Sequence, residues 1–301
     1  MVTHSMRRLL VLCHAGAGGG DVPARVARMV GRVPVLAGAA CRIVGSVENA
    51  GEIIDRHAGA VEGVIAAGGD GTIGLVAAAL LARGDALRAR LPLGVLPLGS
   101  GNAFAHGIGL GSLEAAVRAL GAWREGSIDV MRTTHPRAPV ALVSLSAGLE
   151  GRFIAGYEKR RVRWSRRGAS TLASIDAVRG ARAGLRLVAD GSELCDPRDA
   201  CVNAGLYNLP TYASGWRMWP DAEAHDGMGE AVVVRTLRSY GGVLRRGLHT
   251  ARACDTADPR WTRFRTALLE SDGPLQADGE PLAPASISVR LDHQALRVLL
   301  P

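Results

Sequence analysis

Along the first 128 residues, short apolar runs alternate with stretches of helical periodicity. Runs at 9–13, 41–47, 61–67 and 93–98 read as strands covered on both faces, because parallel strands between helices are near-continuously apolar. Ile73, Val76, Ala77, Leu80 and Leu81 recur at i, i+3, i+4, i+7 and i+8, one face of a helix. Pro23 suits the first turn of an earlier helix, Ser46 or Glu48 can open the next, and a helix over 112–120 is expected to end at Gly121. This strand–helix alternation predicts an α/β domain, a three-layer parallel sheet with ligand at the carboxyl ends of its strands.

Beyond residue 128 the runs become strand-like at 140–145, 185–188, 231–234, 265–269, 287–291 and 295–300, with helical insertions near 170–178 and 239–252. Asp190-Gly191, Asp226-Gly227, Asp272-Gly273 and Asp278-Gly279 are each suited to a tight antiparallel turn, since Asp and Gly tolerate positive φ. The expected organisation is an α/β domain over 1–128 and an antiparallel β-sandwich or barrel over 129–294, with a strand at 295–301 that is a candidate to return to the first domain.

With 48% hydrophobic and 21% charged residues in 301, the chain has the composition of a soluble globular protein, and its 39 glycines follow no collagen-like triplet. No apolar run approaches 18 residues, and Arg7-Arg8 with 9–13 is too short for a signal-peptide core. The expected compartment is the cytoplasm, with peripheral contact at the inner face of the membrane. A formal charge of +8 favours an anionic partner, and Lys159 is the sole lysine. Five cysteines, odd in number and without a Cys-x-x-Cys pair, argue against a disulfide framework or zinc site and fit a reducing compartment.

Two turns concentrate the chemistry. Gly68-Gly69-Asp70-Gly71-Thr72 joins a strand to the helix stripe beginning at Ile73. Its glycines admit a phosphate close to the backbone, and a helix N-terminus offers unpaired N–H groups and partial positive charge. Thr72 can cap the helix or bond phosphate. The Asp70 carboxylate repels such a ligand unless a divalent cation intervenes or it takes up a proton, so the turn predicts magnesium beside a nucleotide. Glycine turns of this kind are also ordinary packing devices. Gly99-Ser100-Gly101-Asn102 follows the next strand and again precedes a helical stretch, so the two turns are expected to face one crevice. Asn102 can contact ribose, phosphate or base, or cap its helix. A Walker A motif is excluded by the single lysine, no H-R-D or D-F-G occurs, and Gly16-Ala17-Gly18-Gly19-Gly20 matches a dinucleotide fingerprint badly.

GGDGT at 68–72, PLGSGNAFA at 97–105 and Asp278-Gly279-Glu280 occur in the order and spacing of the diacylglycerol kinase catalytic-domain family. The chain resembles its small bacterial lipid kinases and, more distantly, sphingosine kinases. Ser127-Ile128-Asp129-Val130 resembles the opening of that family's second domain, and Pro220-Asp221-Ala222 with Asp226-Gly227 a later landmark. The resemblance implies magnesium- and ATP-dependent phosphorylation of a lipid alcohol, diacylglycerol-like or sphingoid, in a cleft between two domains. It places nucleotide binding at Gly68, Gly69, Gly71, Thr72, Gly99, Ser100, Gly101 and Asn102, and the base at Asp278. Magnesium or hydroxyl contacts fall to Asp70 and Glu280, and Asp129 matches an acidic residue near the site. The sphingosine kinases make Asp70 a rival base, and the residues alone read Asp278-Gly279 equally well as a hairpin turn.

His14-Ala15 stands where the family commonly has Asn-Pro, so His14 would carry an altered contact to adenine or phosphate. Gly148-Leu149-Glu150 replaces a more usual Gly-x-Asp, and Thr211-Tyr212-Ala213-Ser214-Gly215 a glycine-rich stretch. Rival readings are an NAD kinase-like enzyme, which shares G-G-D-G, and a nucleotide- or lipid-binding protein without turnover. Lys159, Arg160, Arg161, Arg163, Arg166 and Arg167 cluster around Trp164, a composition suited to an anionic membrane surface and equally to a solvated face. No nucleic-acid partner is expected, because aromatics are 4% and no binding module appears. A homodimer is compatible with the pattern.

Overall fold

The computed structural model describes residues 7–14, 22–180, 184–212, 215–219, 222–247 and 259–301. They divide into two compact units. One holds the described residues through Ile128 with Gly215 and Gln294–Pro301; the other holds those of Asp129–Tyr212 and Trp216–His293.

In the first unit the elements run β1 (Leu9–His14), α1 (Val22–Val30), β2 (Ala40–Val44), α2 (Val47–His57), β3 (Gly63–Gly68), α3 (Asp70–Leu81), α4 (Asp85–Arg90), β4 (Leu93–Pro97), α5 (Ala103–Gly107) and α6 (Leu113–Ala122). β1 pairs in parallel with both β2 and β3, and β3 with β4. Leu9, Val11 and Cys13 share a buried core with Val22 and Val26 of α1 and Ala116 and Leu120 of α6. The alternate residues Leu10 and Leu12 are also buried, on the face where α2 and α3 lie. Coverage on both faces explains the continuous apolar runs. Ser46 is the cap of α2, its Oγ accepting from Asn49 N, so β2 stops at Val44 rather than reaching residue 47. α6 runs past Gly121 to Ala122 and ends on Trp123 at φ 53°. Trp123 is held there by an Nε1 hydrogen bond to Glu125 and by the Arg7 guanidinium 4.2 Å over its ring.

The chain continues as β5 (Arg124–Thr133), β6 (Val140–Ala141), β7 (Ser144–Gly148), α7 (Leu149–Arg160), α8 (Arg166–Arg179), β8 (Leu185–Ala189), β9 (Ser192–Cys195), β10 (Asn203–Tyr207), β11 (Thr211–Tyr212), β12 (Trp216–Arg217), β13 (Gly229–Val234), α9 (Leu237–Gly247), β14 (Arg260–Phe264), β15 (Thr266–Ser271), β16 (Leu275–Ala277), β17 (Glu280–Leu282) and β18 (Ala285–Leu300). In the second unit one antiparallel sheet has the order β14-β13-β10-β7-β16-β17. A second contains β15 between β18 and β8, with β9 beyond β8. Leu145, Leu206 and Val233 from the first sheet and Leu187, Leu269 and Ile287 from the second form one core cluster, the packing of a sandwich. The α/β class with an antiparallel second half is therefore as the sequence reads.

Several expectations change. The run at 140–145 is broken into β6 and β7, with Leu142 and Val143 between them. The two runs at 287–291 and 295–300 form one strand, β18, that passes through a left-handed Gln294 (φ 47°) where the unit changes. Val298 of β18 pairs in parallel with Leu93 of β4. Of the four Asp-Gly pairs, Asp190-Gly191 and Asp278-Gly279 close two-residue hairpins. Asp272-Gly273 instead links strands of different sheets, and Asp226-Gly227 precedes β13. α9 is described as far as Gly247, and 248–252 lie outside the described residues, as do Gly16–Gly20 and Pro220-Asp221.

Candidate active site

In the first unit the pairing of β3 with β4 extends beyond the strands. Leu98 N and Gly99 N both donate to Gly68 O, at 2.9 and 3.2 Å. The two glycine turns are thereby laid backbone on backbone. A Cβ on Gly99 would fall 3.0 Å from Gly69 N and 2.8 Å from Asn102 Oδ1, with Gly69 Cα closer still. Gly69, extended at φ −94° and ψ −172°, is the N-cap of α3. Thr72 does not cap that helix; it is buried with its side chain packed over Gly68.

Asp70 bridges the turns. Its Oδ2 accepts from Ala103 N at 3.0 Å and its Oδ1 from Phe104 N at 2.9 Å, so it caps α5 from a distance of thirty-three positions in the chain. The leading amides of α5 are therefore occupied, and of the two helix starts it is α3 that remains suited to an anion. Desolvation pushes the Asp70 carboxyl above the usual aspartate range, outweighing the two amide hydrogen bonds that pull it down. Asn102 sits in the left-handed region (φ 49°) and makes no cap bond; its Nδ2 donates to Gly99 O at 3.0 Å, while its buried Oδ1 has no hydrogen-bond partner. Gly71 and Ser100 are exposed, and Gly101 and His14 are half-buried, His14 closing β1.

In the second unit Asp278 and Gly279 adopt φ 48° and 86°, the two left-handed positions of a tight hairpin between β16 and β17. The carboxylate is also used. Its Oδ2 accepts from Leu142 N at 2.7 Å, and its Oδ1 from Val143 N at 2.8 Å and Ser144 N at 2.9 Å. Three of roughly four acceptor sites are thus filled by the break between β6 and β7. Asn208 steadies the same break, donating to Leu142 O at 3.0 Å and Asp129 O at 2.8 Å. Glu280 is exposed at the start of β17, and its charge reaches Arg161. Asp129, fully buried, accepts from Gly227 N at 2.7 Å and faces His293 Nδ1 at 2.9 Å.

A buried polar network behind the Asp278 turn escaped the sequence reading. Glu150, second residue of α7, receives Ser146 Oγ at 2.6 Å on Oε2. Its Oε1 receives Tyr207 Oη at 2.8 Å, Asn203 Nδ2 at 3.1 Å and Tyr240 Oη at 3.1 Å. Burial pushes its pKa up, while these donors pull it down. Gln276 Nε2 donates to Ser146 Oγ at 2.7 Å and Ser144 Oγ at 3.1 Å, and its Oε1 accepts from Gly279 N at 2.8 Å. Tyr212 Oη is buried without a hydrogen-bond partner; desolvation, then Glu150 and Asp278, raise its pKa. The available signal was the alternation Ser144-Leu145-Ser146-Ala147, which puts hydroxyls on one face of a strand buried on both.

Residues 8–133 match the model of the diacylglycerol kinase catalytic domain. A probable YegS-like lipid kinase of Klebsiella pneumoniae is 29% identical over 251 residues, covering 80% of this chain and 78% of that protein. The eye-specific diacylglycerol kinase of Drosophila melanogaster is 26% identical over 279 residues, 77% of this chain and 19% of the much longer relative. In three dimensions, a diacylglycerol kinase from Bacillus anthracis str. Sterne superposes with a TM-score of 0.69 at 17% identity, over 98% of this chain and 97% of that one, a likeness of fold.

Proposed function

Residues 8–133 belong to the diacylglycerol kinase catalytic-domain family, and from that premise we propose that the protein transfers the γ-phosphoryl group of ATP to the hydroxyl of a lipid alcohol, diacylglycerol-like or sphingoid. The observation that carries this reading is the backbone contact of the two glycine turns, which leaves no room for a Cβ at Gly99 and sets a helix start beside it. Amides at the start of α3 and around Ser100-Gly101 hold phosphate oxygens, and Asn102 orients the nucleotide. Asp278 takes the proton of the acceptor hydroxyl as its oxygen attacks phosphorus and the bond to the ADP leaving group breaks.

A magnesium ion bound with the nucleotide would supply the charge neutralisation for which the chain, with Lys159 as its sole lysine, has no P-loop lysine. The residues fit such an ion through the unpartnered Asn102 Oδ1 and the remaining lone pairs of Asp70. Among the described residues no three acidic, histidine or cysteine side chains gather as a metal cage.

The α7–α8 connection is the proposed contact with an anionic bilayer. Val162 and Trp164 are 85% and 56% exposed there, flanked by Lys159, Arg163 and Arg167, whereas Arg160 and Arg161 are paired with Asp176 and Glu158. No helix among the described residues is long and apolar enough to cross a membrane. Labelled ATP, Mg²⁺ and mixed vesicles containing diacylglycerol, a sphingoid base or phosphatidylglycerol, with NAD as a soluble acceptor, test the reaction. Label in a lipid product is expected; label in NAD alone, or in nothing, would overturn it. Co-sedimentation should be strong with phosphatidylglycerol vesicles, weak with phosphatidylcholine and reduced by Trp164→Ala.

A further inference from the structure

We infer that Cys195 and Cys201 are the two ends of a disulfide that this protein forms when equilibrated with a low-molecular-weight disulfide. Their Sγ atoms lie 2.6 Å apart, well inside van der Waals contact, and both residues are buried in the sandwich core. The proximity is built by the main chain. After β9 the segment 196–200 folds back on itself: Asp199 N donates to Asp196 O at 2.8 Å, Arg198 N to Asp196 Oδ1 at 2.8 Å, and Cys201 N to Asp199 O at 3.0 Å. Cys201 is thereby returned to the level of Cys195, whose Sγ also contacts Leu185 O at 3.3 Å. The odd cysteine count and missing Cys-x-x-Cys speak against a disulfide framework; they do not exclude one local pair across a turn.

The chemistry balances as an exchange. One thiol, as thiolate, attacks the small disulfide and releases one small thiol, which carries the proton away; the second displaces the other small thiol from the mixed disulfide. Two protein thiols and one small disulfide thus become one protein disulfide and two small thiols. Contact with Cys201, and then burial, hold the Cys195 thiol far above its ordinary range, so exchange in the folded protein proceeds through opening of the exposed 196–200 turn. The cross-link would pin the start of β10, where Val202 O receives Leu149 N at 2.8 Å and Asn203 holds Glu150.

The sequence allows a clean test, because Arg198 lies between the two cysteines. The folded full-length chain is equilibrated with oxidised and reduced glutathione in graded ratios, acid-quenched, alkylated in denaturant and digested with trypsin. Fragments 187–198 and 199–217 are expected to appear joined, lighter by two hydrogens than their sum, and to separate on reduction. Recovery of both fragments separately alkylated at the most oxidising ratio overturns the inference. So does either fragment joined instead to one containing Cys13, Cys41 or Cys254.

Discussion

Gly99→Ala tests the contact between the two turns most directly. The added methyl would lie 3.0 Å from Gly69 N, 2.8 Å from Asn102 Oδ1 and nearer still to Gly69 Cα. Backbone atoms cannot rotate away, so the turns must part by more than about 1 Å before carbon contacts reach their favourable 3.5–4.0 Å range. Overpacking of this kind costs about 1–3 kcal/mol, and weakening the shared acceptor Gly68 O adds about 1 kcal/mol. The expected loss is therefore about 2–4 kcal/mol, and a displacement near 1 Å at a phosphate-positioning site costs about 10²-fold in rate. Gly69→Ala should be milder, its Cβ meeting Gly99 Cα at 3.2 Å. Gly74→Ala, with nothing within 4 Å and a helical backbone, should gain about 1 kcal/mol. Urea unfolding midpoints should thus rank Gly74→Ala, wild type, Gly69→Ala, Gly99→Ala, and calorimetric ATP affinity should fall from wild type through Gly69→Ala to Gly99→Ala. A Gly99→Ala protein with the wild-type midpoint and affinity would refute the reasoning.

Glu150→Gln should become progressively more favourable relative to wild type as pH rises. Burial raises the folded Glu150 pKa above its value of 4.5 in the open chain, so its stabilising contribution is complete below that value and lost as pH climbs through the folded one; a pH-independent difference in melting would contradict this. Asp70→Ala strips acceptors from Ala103 N and Phe104 N and should cost about 1–3 kcal/mol, with Asp70→Asn costing less because one oxygen remains. Equal melting shifts for these two variants would show that Asp70 is not the cap of α5.

Both halves of the fold could be read from hydrophobic patterning, for different reasons. The first unit was legible because strands such as β1 are apolar at every position from Leu9 to Cys13, which burial on both faces explains. In the second unit, short strands such as β16 and β17, three residues each, carry too little periodicity to announce themselves. What gave them away was turn chemistry at Asp278-Gly279, and the same dipeptide misled at Asp272-Gly273, where the chain changes sheets. The glycine turns were visible as strand–turn–helix punctuation. That Asp70 would be spent on the amides of α5, or Glu150 linked to the Asp278 turn through Ser146 and Gln276, was not, because those partners lie far apart in sequence and meet only by strand pairing.

On the proposed reaction Asp70 and Asp278 are the two candidates for the base, and both anchor backbone amides. Asp70 has each oxygen on a leading amide of α5, and desolvation raises its pKa. Asp278 is held by the amides of the break between β6 and β7. Its three bonds are unevenly shared, with Val143 N and Ser144 N both on Oδ1 and Leu142 N alone on Oδ2. An Asn at this position can keep Oδ1 where it is, and Asn tolerates the left-handed φ of 48°. Asp278→Asn therefore preserves the hairpin and two of the three amide bonds, removes the charge, and leaves Leu142 N without its acceptor, a loss of at most about 1–3 kcal/mol. With Asp278 as the base, kcat should fall by about 10²-fold or more while ATP affinity stays at the wild-type value. With a purely structural turn, kcat should follow the small stability change, and a variant that folds and turns over within about threefold of wild type would move the base elsewhere.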